Sequence, residues 1–251
     1  AGAWAALRAR QPFFLIGDLG HVTELGDAAG VPVRGIDAPE EAAAAMPDAL
    51  PVLHHALARP APPGRPDPAN AEATIAIIRR GVELVRAGAA LALCTNPIHK
   101  KALQDGAGFA FPGHTEFLAH LAGVDDVVMM LACSALRVVP ATIHLALEDV
   151  PAALTRAGLE KTIRITEAGL RAQGLTRPRI AVAGLNPHAG EGGAMGRTEI
   201  EMIAPLLDDL RAEGLDIAGP LPADTMFHAE ARARYDVAIC MYHDQALIPI
   251  K

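Results

Sequence analysis

Three histidines lie at the ends of three separate apolar runs of the sequence. The runs read LRVVPATIHLAL, RIAVAGLNPH and YDVAICMYHD, and the histidines are His144, His188 and His243. Short apolar runs bounded by Gly, Pro, Asn and Asp are typical of buried strands. Because ligands of open α/β sheets bind beyond the carboxyl ends of the strands, three imidazoles there could hold one divalent cation and leave positions open for a substrate. The alternative for each histidine alone is an ordinary hydrogen-bonded residue at a strand end.

Carboxylates and a lysine near these histidines could carry protons or bind anions. Asp244 follows His243 directly, and Asp224 lies in the segment PADT. Either carboxylate could accept a hydrogen bond from a ligating imidazole, or act as a base. Lys251, after an apolar run, could bind a phosphate or carboxylate or carry a proton, although a solvated lysine at the end of a strand is the simpler alternative. The residues alone do not decide which of the three carries the proton.

Two further segments combine groups that bind anions. GHTE places the imidazole of His114 and the hydroxyl of Thr115 beside the amides of a predicted helix start, which suits a phosphate or carboxylate. The segment TNPIHK offers His99 and Lys100 at the end of another apolar run. Ordinary helix capping is the alternative for both segments.

A glycine-rich segment, NPHAGEGGAMG, spans residues 186–196 between a predicted strand and a predicted helix. Such loops can bring backbone N–H groups close to a phosphate. The spacing is not the GxGxxG of dinucleotide-binding folds, and the sequence has no P-loop. A plain tight turn that requires positive φ is the alternative.

The elements that must position these residues alternate between strands and helices, which predicts an α/β fold. Strands are predicted at 12–18, 90–97 and 179–185, and helices at 70–88, from 100, from 114 or 115, at 147–174 and at 198–214. Only Ser134 and Ala135 separate VVMMLAC from LRVVPATIHLAL, which predicts an antiparallel pair and therefore a mixed sheet. The Pro- and Ala-rich stretch 37–67 is predicted to be a long loop, and GPLPADTMF a structured loop.

Composition excludes several classes of protein. The chain has 251 residues, of which 51% are hydrophobic, enough for one large domain or two smaller ones. A net charge of −7 without a basic block argues against a nucleic-acid partner. Isolated cysteines, interrupted apolar stretches and no visible secretory signal favour a cytoplasmic protein without a membrane partner. Because the chain opens on an uncapped helical pattern and ends at an apolar run, we expect that segments of the natural protein are missing at both ends.

Several of these segments resemble one enzyme family in sequence and in order. The segments are TNPIHK, FPGHTEFLA, ATIHLAL, GLNPHAGEGGAMG, GPLPADTMF and YDVAICMYHDQALIPIK, and the family is 4-hydroxythreonine-4-phosphate dehydrogenase of pyridoxal phosphate biosynthesis. The resemblance implies a two-domain α/β/α fold with mixed sheets, like that of isocitrate and isopropylmalate dehydrogenases. The active site would lie in the interdomain cleft, with domains at 1–112 and 113–251. NAD or NADP would bind without a GxGxxG loop.

The resemblance also implies a site and a reaction. His144, His188 and His243 would bind a divalent metal (zinc, cobalt, magnesium or manganese), with the third histidine supplied by the partner subunit of a homodimer. His114, Thr115 and Lys251 would contact a phosphorylated 3-hydroxy amino acid. Its oxidation would give a β-keto acid that loses carbon dioxide. Alternatives are a relative acting on a phosphorylated erythronate or threonate or on a cis-dihydrodiol acid, a non-redox enzyme on a similar scaffold, and an inactive metal-binding protein.

Overall fold

The computed structural model describes residues 2–7 and 11–251, and the chain separates into two compact units, Ala1–Asp125 and Asp126–Lys251. Helices in the described ranges are Gly2–Leu7 (α1), Leu19–Ala29 (α2), Ala42–Ala45 (α3), Ala71–Arg86 (α4), Lys100–Ala107 (α5), His114–Ala122 (α6), Val150–Ala153 (α7), Arg156–Ala172 (α8), Ala204–Ala212 (α9), Ala229–Arg232 (α10) and His243–Ile250 (α11). Strands are Leu15–Gly17 (β1), Val33–Ile36 (β2), Leu50–His54 (β3), Leu131–Cys133 (β4), Leu136–Pro140 (β5), Arg179–Ala183 (β6), Asp216–Leu221 (β7) and Val237–Cys240 (β8). None of these helices has both the length and the apolar character needed to cross a lipid bilayer.

The first unit contains a parallel sheet in the order β1-β3-β2. Its central strand, β3, lies inside the stretch 37–67 that the sequence predicts as a long loop, and Val52 of β3 is fully buried. The loop prediction is therefore wrong. Proline obscured the strand, because a proline has no N–H to donate and argues against a central strand, yet Pro51 lies inside β3. The alanine run 42–45 forms α3, since alanine is the strongest helix former.

The predicted strand 90–97 is also not formed, and Leu91 is 96% exposed. A strand needs a hydrogen-bonded neighbour, and among the described residues β1 pairs with β3 alone. The neighbouring helices α4, α5 and α6 do form as predicted. Phe117 of α6 packs with Ile78 of α4 and with Phe109, so α6 belongs to the first unit. The domain boundary that the resemblance implies, between residues 112 and 113, stays a prediction.

The second unit is built on a mixed sheet in the order β4-β5-β8-β6-β7, in which β4 and β5 are antiparallel and the other pairs are parallel. Successive residues of β6 face opposite sides of this sheet. Ile180 and Val182 lie in one apolar cluster with residues of α8 and α9, whereas Ala181 and Ala183 lie in a second cluster with Ala246 of α11. Helices therefore cover both faces, as expected for an α/β/α arrangement.

Three predictions about the second unit need correction. The segment predicted as one helix over 147–174 is interrupted, because Leu154 is extended and the Thr155 side chain caps α8 by accepting from Gly158 N–H. The segment GPLPADTMF begins inside β7 and is not wholly a loop. The apolar run before Lys251 forms α11, so Lys251 follows a helix and not a strand.

Candidate functional site

The three histidines follow three strands of the second sheet. His144 follows β5, His188 follows β6, and His243 is the first residue of α11 after β8. Because β8 is parallel to both β5 and β6, the carboxyl ends of these strands lie at one edge of the sheet. All three histidines therefore follow strands whose carboxyl ends lie at one edge of the sheet, as predicted, and their role as ligands of one metal stays a prediction.

Two of the histidines lie side by side. The ring centroids of His144 and His243 are 5.9 Å apart, and both rings line a cleft of about 320 Å³ together with Thr142, Tyr242, Asp244 and the apolar residues Ile143, Leu145, Leu147 and Val150. The Nδ1 atom of His243 lies 2.6 Å from Asp244 Oδ1. When the proton of a neutral ring is on Nδ1 and donated to Asp244, the lone pair of Nε2 is free to bind a cation.

His188 has a different carboxylate neighbour. Its Nδ1 lies 3.7 Å from Asp224 Oδ2, and the two side chains are 53% and 58% exposed. Within residues 2–7 and 11–251, no three His, Cys, Asp or Glu side chains converge on a point where they could hold a metal ion. One chain thus provides an imidazole pair with Asp244 and, separately, an imidazole with Asp224. Imidazoles are common ligands of divalent metals, and Asp244 contacts His243 as a supporting carboxylate does, whereas the 3.7 Å between His188 and Asp224 is longer than a hydrogen bond.

The backbone is strained at two of these histidines. His144 has φ 53° and His188 has φ 51°, both in the left-handed region. That region costs an ordinary residue roughly 1–2 kcal/mol, and such strain concentrates at functional sites. Residues 188–193 all have positive φ and form a left-handed turn. The predicted need for glycines with positive φ is confirmed here, whereas phosphate binding by this loop remains a prediction.

The remaining predicted residues are placed as follows. His114 and Thr115 open α6 of the first unit, and His114 Nε2 is buried without a hydrogen-bond partner among the described residues. Lys251 is exposed, and its backbone N–H donates to Leu247 O over 3.2 Å. Asp244 and Asp224 are exposed carboxylates beside different histidines, so geometry leaves both as candidate proton carriers.

Two ionisable groups of the second unit are poor candidates for chemistry. Burial raises the pKa of the Cys240 thiol, at the end of β8, to about 12. Burial also raises the pKa of Tyr235 to about 12, and its hydroxyl donates to Met226 O over 2.8 Å. Both groups therefore stay neutral at physiological pH, and neither is a thiolate nucleophile or a base.

Sequence reasoning missed three polar residues beneath the histidine loops: Thr142, Glu199 and Gln245. All three are buried, with 8%, 2% and 9% of their surface exposed. Their only signal in the sequence is that each lies within or just after a motif that carries a histidine.

Comparison with known proteins gives consistent results along the whole chain. The sequence profile of the family described as "Pyridoxal phosphate biosynthetic protein PdxA" matches residues 9–251. The 4-hydroxythreonine-4-phosphate dehydrogenase of Ruegeria sp. (strain TM1040) is 59% identical over 250 residues, which cover 99% of this chain and 75% of that protein. The enzyme of the same name from Paracoccus denitrificans (strain Pd 1222) is 56% identical over 251 residues, covering 98% of this chain and 76% of that protein.

Solved structures agree with the sequences. A 4-hydroxythreonine-4-phosphate dehydrogenase from Burkholderia phymatum superimposes with a TM-score of 0.89 at 37% identity, covering 98% of this chain and 75% of that one. A terephthalate 1,2-cis-dihydrodiol dehydrogenase from Burkholderia xenovorans LB400 gives a TM-score of 0.70 at 30% identity, covering 100% of this chain and 76% of that one. With a profile match over nearly the whole chain and relatives above 50% identity, the chain belongs to the pyridoxal phosphate biosynthetic protein PdxA family.

Proposed function

We propose that this protein is an oxidoreductase, a 4-hydroxythreonine-4-phosphate dehydrogenase that depends on NAD (or NADP) and on a divalent metal. It would oxidise 4-phosphohydroxy-L-threonine to a β-keto acid, which loses carbon dioxide to give 3-amino-2-oxopropyl phosphate. The observation that carries the proposal is that His144 and His243 lie side by side at the strand-end edge, with ring centroids 5.9 Å apart. They do so in a chain that belongs to this family. The adjoining cleft of about 320 Å³ has the size of a site for a small metabolite.

The metal site would be shared between two copies of the chain. His144 and His243 meet within one chain, and no third ligand among the described residues joins them, which supports a homodimer in which a second chain completes the site. The histidine supplied by that second chain would then be His188, and not His243 as the resemblance implies. Zinc and cobalt suit imidazole ligands better than magnesium or manganese do. A bound divalent cation would lower the pKa of the substrate hydroxyl and stabilise negative charge on that oxygen during decarboxylation.

The residues of the chain would hold and orient the substrate. His114 and Thr115, at the start of α6, would bind its phosphate with the helix amides and Lys251. Asp244 would fix the tautomer of His243, since Nδ1 and Oδ1 are 2.6 Å apart. Asp224, Asp244 and Lys251 are the candidates for removing the hydroxyl proton, while NAD accepts the hydride. We expect this chemistry to take place in the cytoplasm.

The test is NADH formation by the protein incubated with 4-phosphohydroxy-L-threonine and NAD, before and after treatment with a chelator. We expect the absorbance of NADH to rise, to stop rising after chelation, and to return when zinc or cobalt is added. Folded protein that binds metal and produces no NADH would contradict the proposal.

One alternative has structural support, because the cis-dihydrodiol dehydrogenase superimposes over all of this chain. A cis-dihydrodiol of terephthalate and a phosphorylated erythronate therefore belong in the same assay. NADH formation from either of them, and none from 4-phosphohydroxy-L-threonine, would move the assignment to that substrate.

A further inference from the structure

The backbone between β8 and His243 is held from both sides by buried side chains. Met241 is fully buried and precedes Tyr242 and His243. Its carbonyl accepts a hydrogen bond from Thr142 Oγ1 over 2.7 Å, and its N–H donates to Gln245 Oε1 over 2.6 Å. Both polar groups of this residue are therefore bonded to side chains and not to a neighbouring strand.

These hydrogen bonds connect segments that carry different histidines. Thr142 lies two positions before His144, so its bond to Met241 O joins the end of β5 to the end of β8. The amide of Gln245 also donates from Nε2 to Gly184 O over 2.8 Å, which joins the end of β8 to the end of β6. The bonding partners are up to 99 residues apart in sequence, so the links are tertiary and not local.

A third buried group holds the loop of His188. The Glu199 carboxylate accepts from Asn186 N–H over 2.7 Å and from Asn186 Nδ2 over 3.0 Å. It also lies against the left-handed turn, where a Cβ added to Gly190 would come within 2.8 Å of Glu199 Oε2. Glu199 is only 2% exposed, so its two hydrogen bonds are made away from water.

We propose that two groups of buried hydrogen bonds, together called the network, position the three histidines as ligands. Thr142 and Gln245, linked through Met241, hold the segments of His144 and His243, and Glu199, bonded to Asn186, holds the segment of His188. This inference rests on the proposed metal site and adds the residues that set its geometry. Backbone groups at strand ends must be hydrogen-bonded, and water could serve most of them. Here side chains of fixed geometry make these hydrogen bonds in place of water. Each side chain joins a segment that carries a histidine to another element of the unit. These are positioning residues, since their hydrogen bonds go to backbone groups and to the Asn186 side chain, and they act on the metal only through the histidines.

The test is zinc affinity, measured by isothermal titration of the metal-free full chain. Gln245→Met keeps side-chain volume and removes both hydrogen bonds, and Thr142→Val removes one. We expect each variant to bind zinc about tenfold to a hundredfold more weakly than wild type while keeping its circular dichroism spectrum. The matched control is Thr166→Val, because Thr166 is also buried, in α8, and its Oγ1 has no hydrogen-bond partner among the described residues. This control should bind zinc like wild type.

A charge exchange at the His188 loop separates positioning from general destabilisation. Asn186→Asp places a second carboxylate against Glu199 and should weaken zinc binding. Adding Glu199→Gln places an amide donor at position 199 opposite the new carboxylate at position 186. The double variant should therefore recover a zinc affinity within about threefold of wild type. A role in stability alone predicts instead that the folded Asn186→Asp variant keeps wild-type zinc affinity and loses only stability in urea unfolding, so that there is no affinity to recover.

Two results would overturn the network. The first is zinc binding within about twofold of wild type by folded Gln245→Met and Thr142→Val variants. That result would overturn the positioning role and leave the proposed metal site standing. If Gln245→Met does not fold, the zinc affinities of Thr142→Val and of the Asn186→Asp single and double variants test the network instead. His188→Ala, run in the same titration, identifies the other failure: affinity equal to wild type would overturn the metal site and the network together.

Discussion

Replacing Gly190 by alanine should destabilise the protein much more than the same change two residues later. Gly190 is buried with φ +83°, and an added Cβ would lie 2.8 Å from both Glu199 Oε2 and Gly196 O. Gly192 has φ +63°, and an added Cβ there would meet nothing within 4 Å. The two variants therefore share the cost of a left-handed residue and differ in the steric contact.

The expected difference follows from these two terms. The left-handed conformation costs an alanine roughly 1–2 kcal/mol, partly offset by about 0.4–1 kcal/mol from the stiffer unfolded chain. Gly192→Ala should therefore lose about 1 kcal/mol. Gly190→Ala adds the displacement of a buried carboxylate and a backbone carbonyl, which at the usual cost of overpacking brings the loss to about 3 kcal/mol.

Urea unfolding at constant m value measures both losses, and zinc titration reports on the loop itself. The 2 kcal/mol difference corresponds to about a 30-fold change in the folding equilibrium. Because the contact lies inside the turn that begins at His188, only Gly190→Ala should also weaken zinc binding. Equal losses of stability for the two variants, within about 0.5 kcal/mol, would refute the argument from steric contact.

Further predictions concern the ligands and the acid stability of the second unit. If the site is shared between subunits, mixing inactive His188→Ala with inactive His243→Ala protein should restore about a quarter of wild-type activity, because each heterodimer keeps one intact site; no rescue after demonstrated subunit exchange would contradict sharing. Hydrogen bonds from Arg179 lower the pKa of Asp236, so this pair stabilises the fold above the ordinary carboxyl pKa and loses that contribution as pH falls through the lowered value. Asp236→Asn should therefore cost about 1–2 kcal/mol at neutral pH and progressively less below about pH 4; a loss that does not vary with pH in urea unfolding would show that the charge is unimportant.

Local patterns in the sequence were sufficient for much of the second unit. Short apolar runs bounded by turn residues predicted β5, β6 and β8, and the two-residue link at Ser134 and Ala135 predicted the antiparallel pair β4-β5. The positions of His144, His188 and His243 after these strands follow from the same patterns. These predictions hold because the side-chain period of a strand, the turn residues and the helix caps are properties of neighbours in the chain.

Predictions that depended on distant residues were less successful. The stretch 90–97 has the composition of a strand but pairs with no described strand, and β3 forms inside an apparent loop because β1 and β2 flank it. The sequence could not show that His144 lies beside His243 while His188 faces Asp224. It also gave no reason to select Thr142, Gln245 or Glu199.

The sequence by itself determined which residues come to the strand-end edge and the family to which the chain belongs. The tertiary structure decided which of these residues are neighbours and what holds them. The physical reason is that strand order, left-handed turns and buried hydrogen bonds such as that from Gln245 to Gly184, 61 residues apart, arise from contacts between distant segments. Local propensity does not predict such contacts, because they form only when packing brings those segments together.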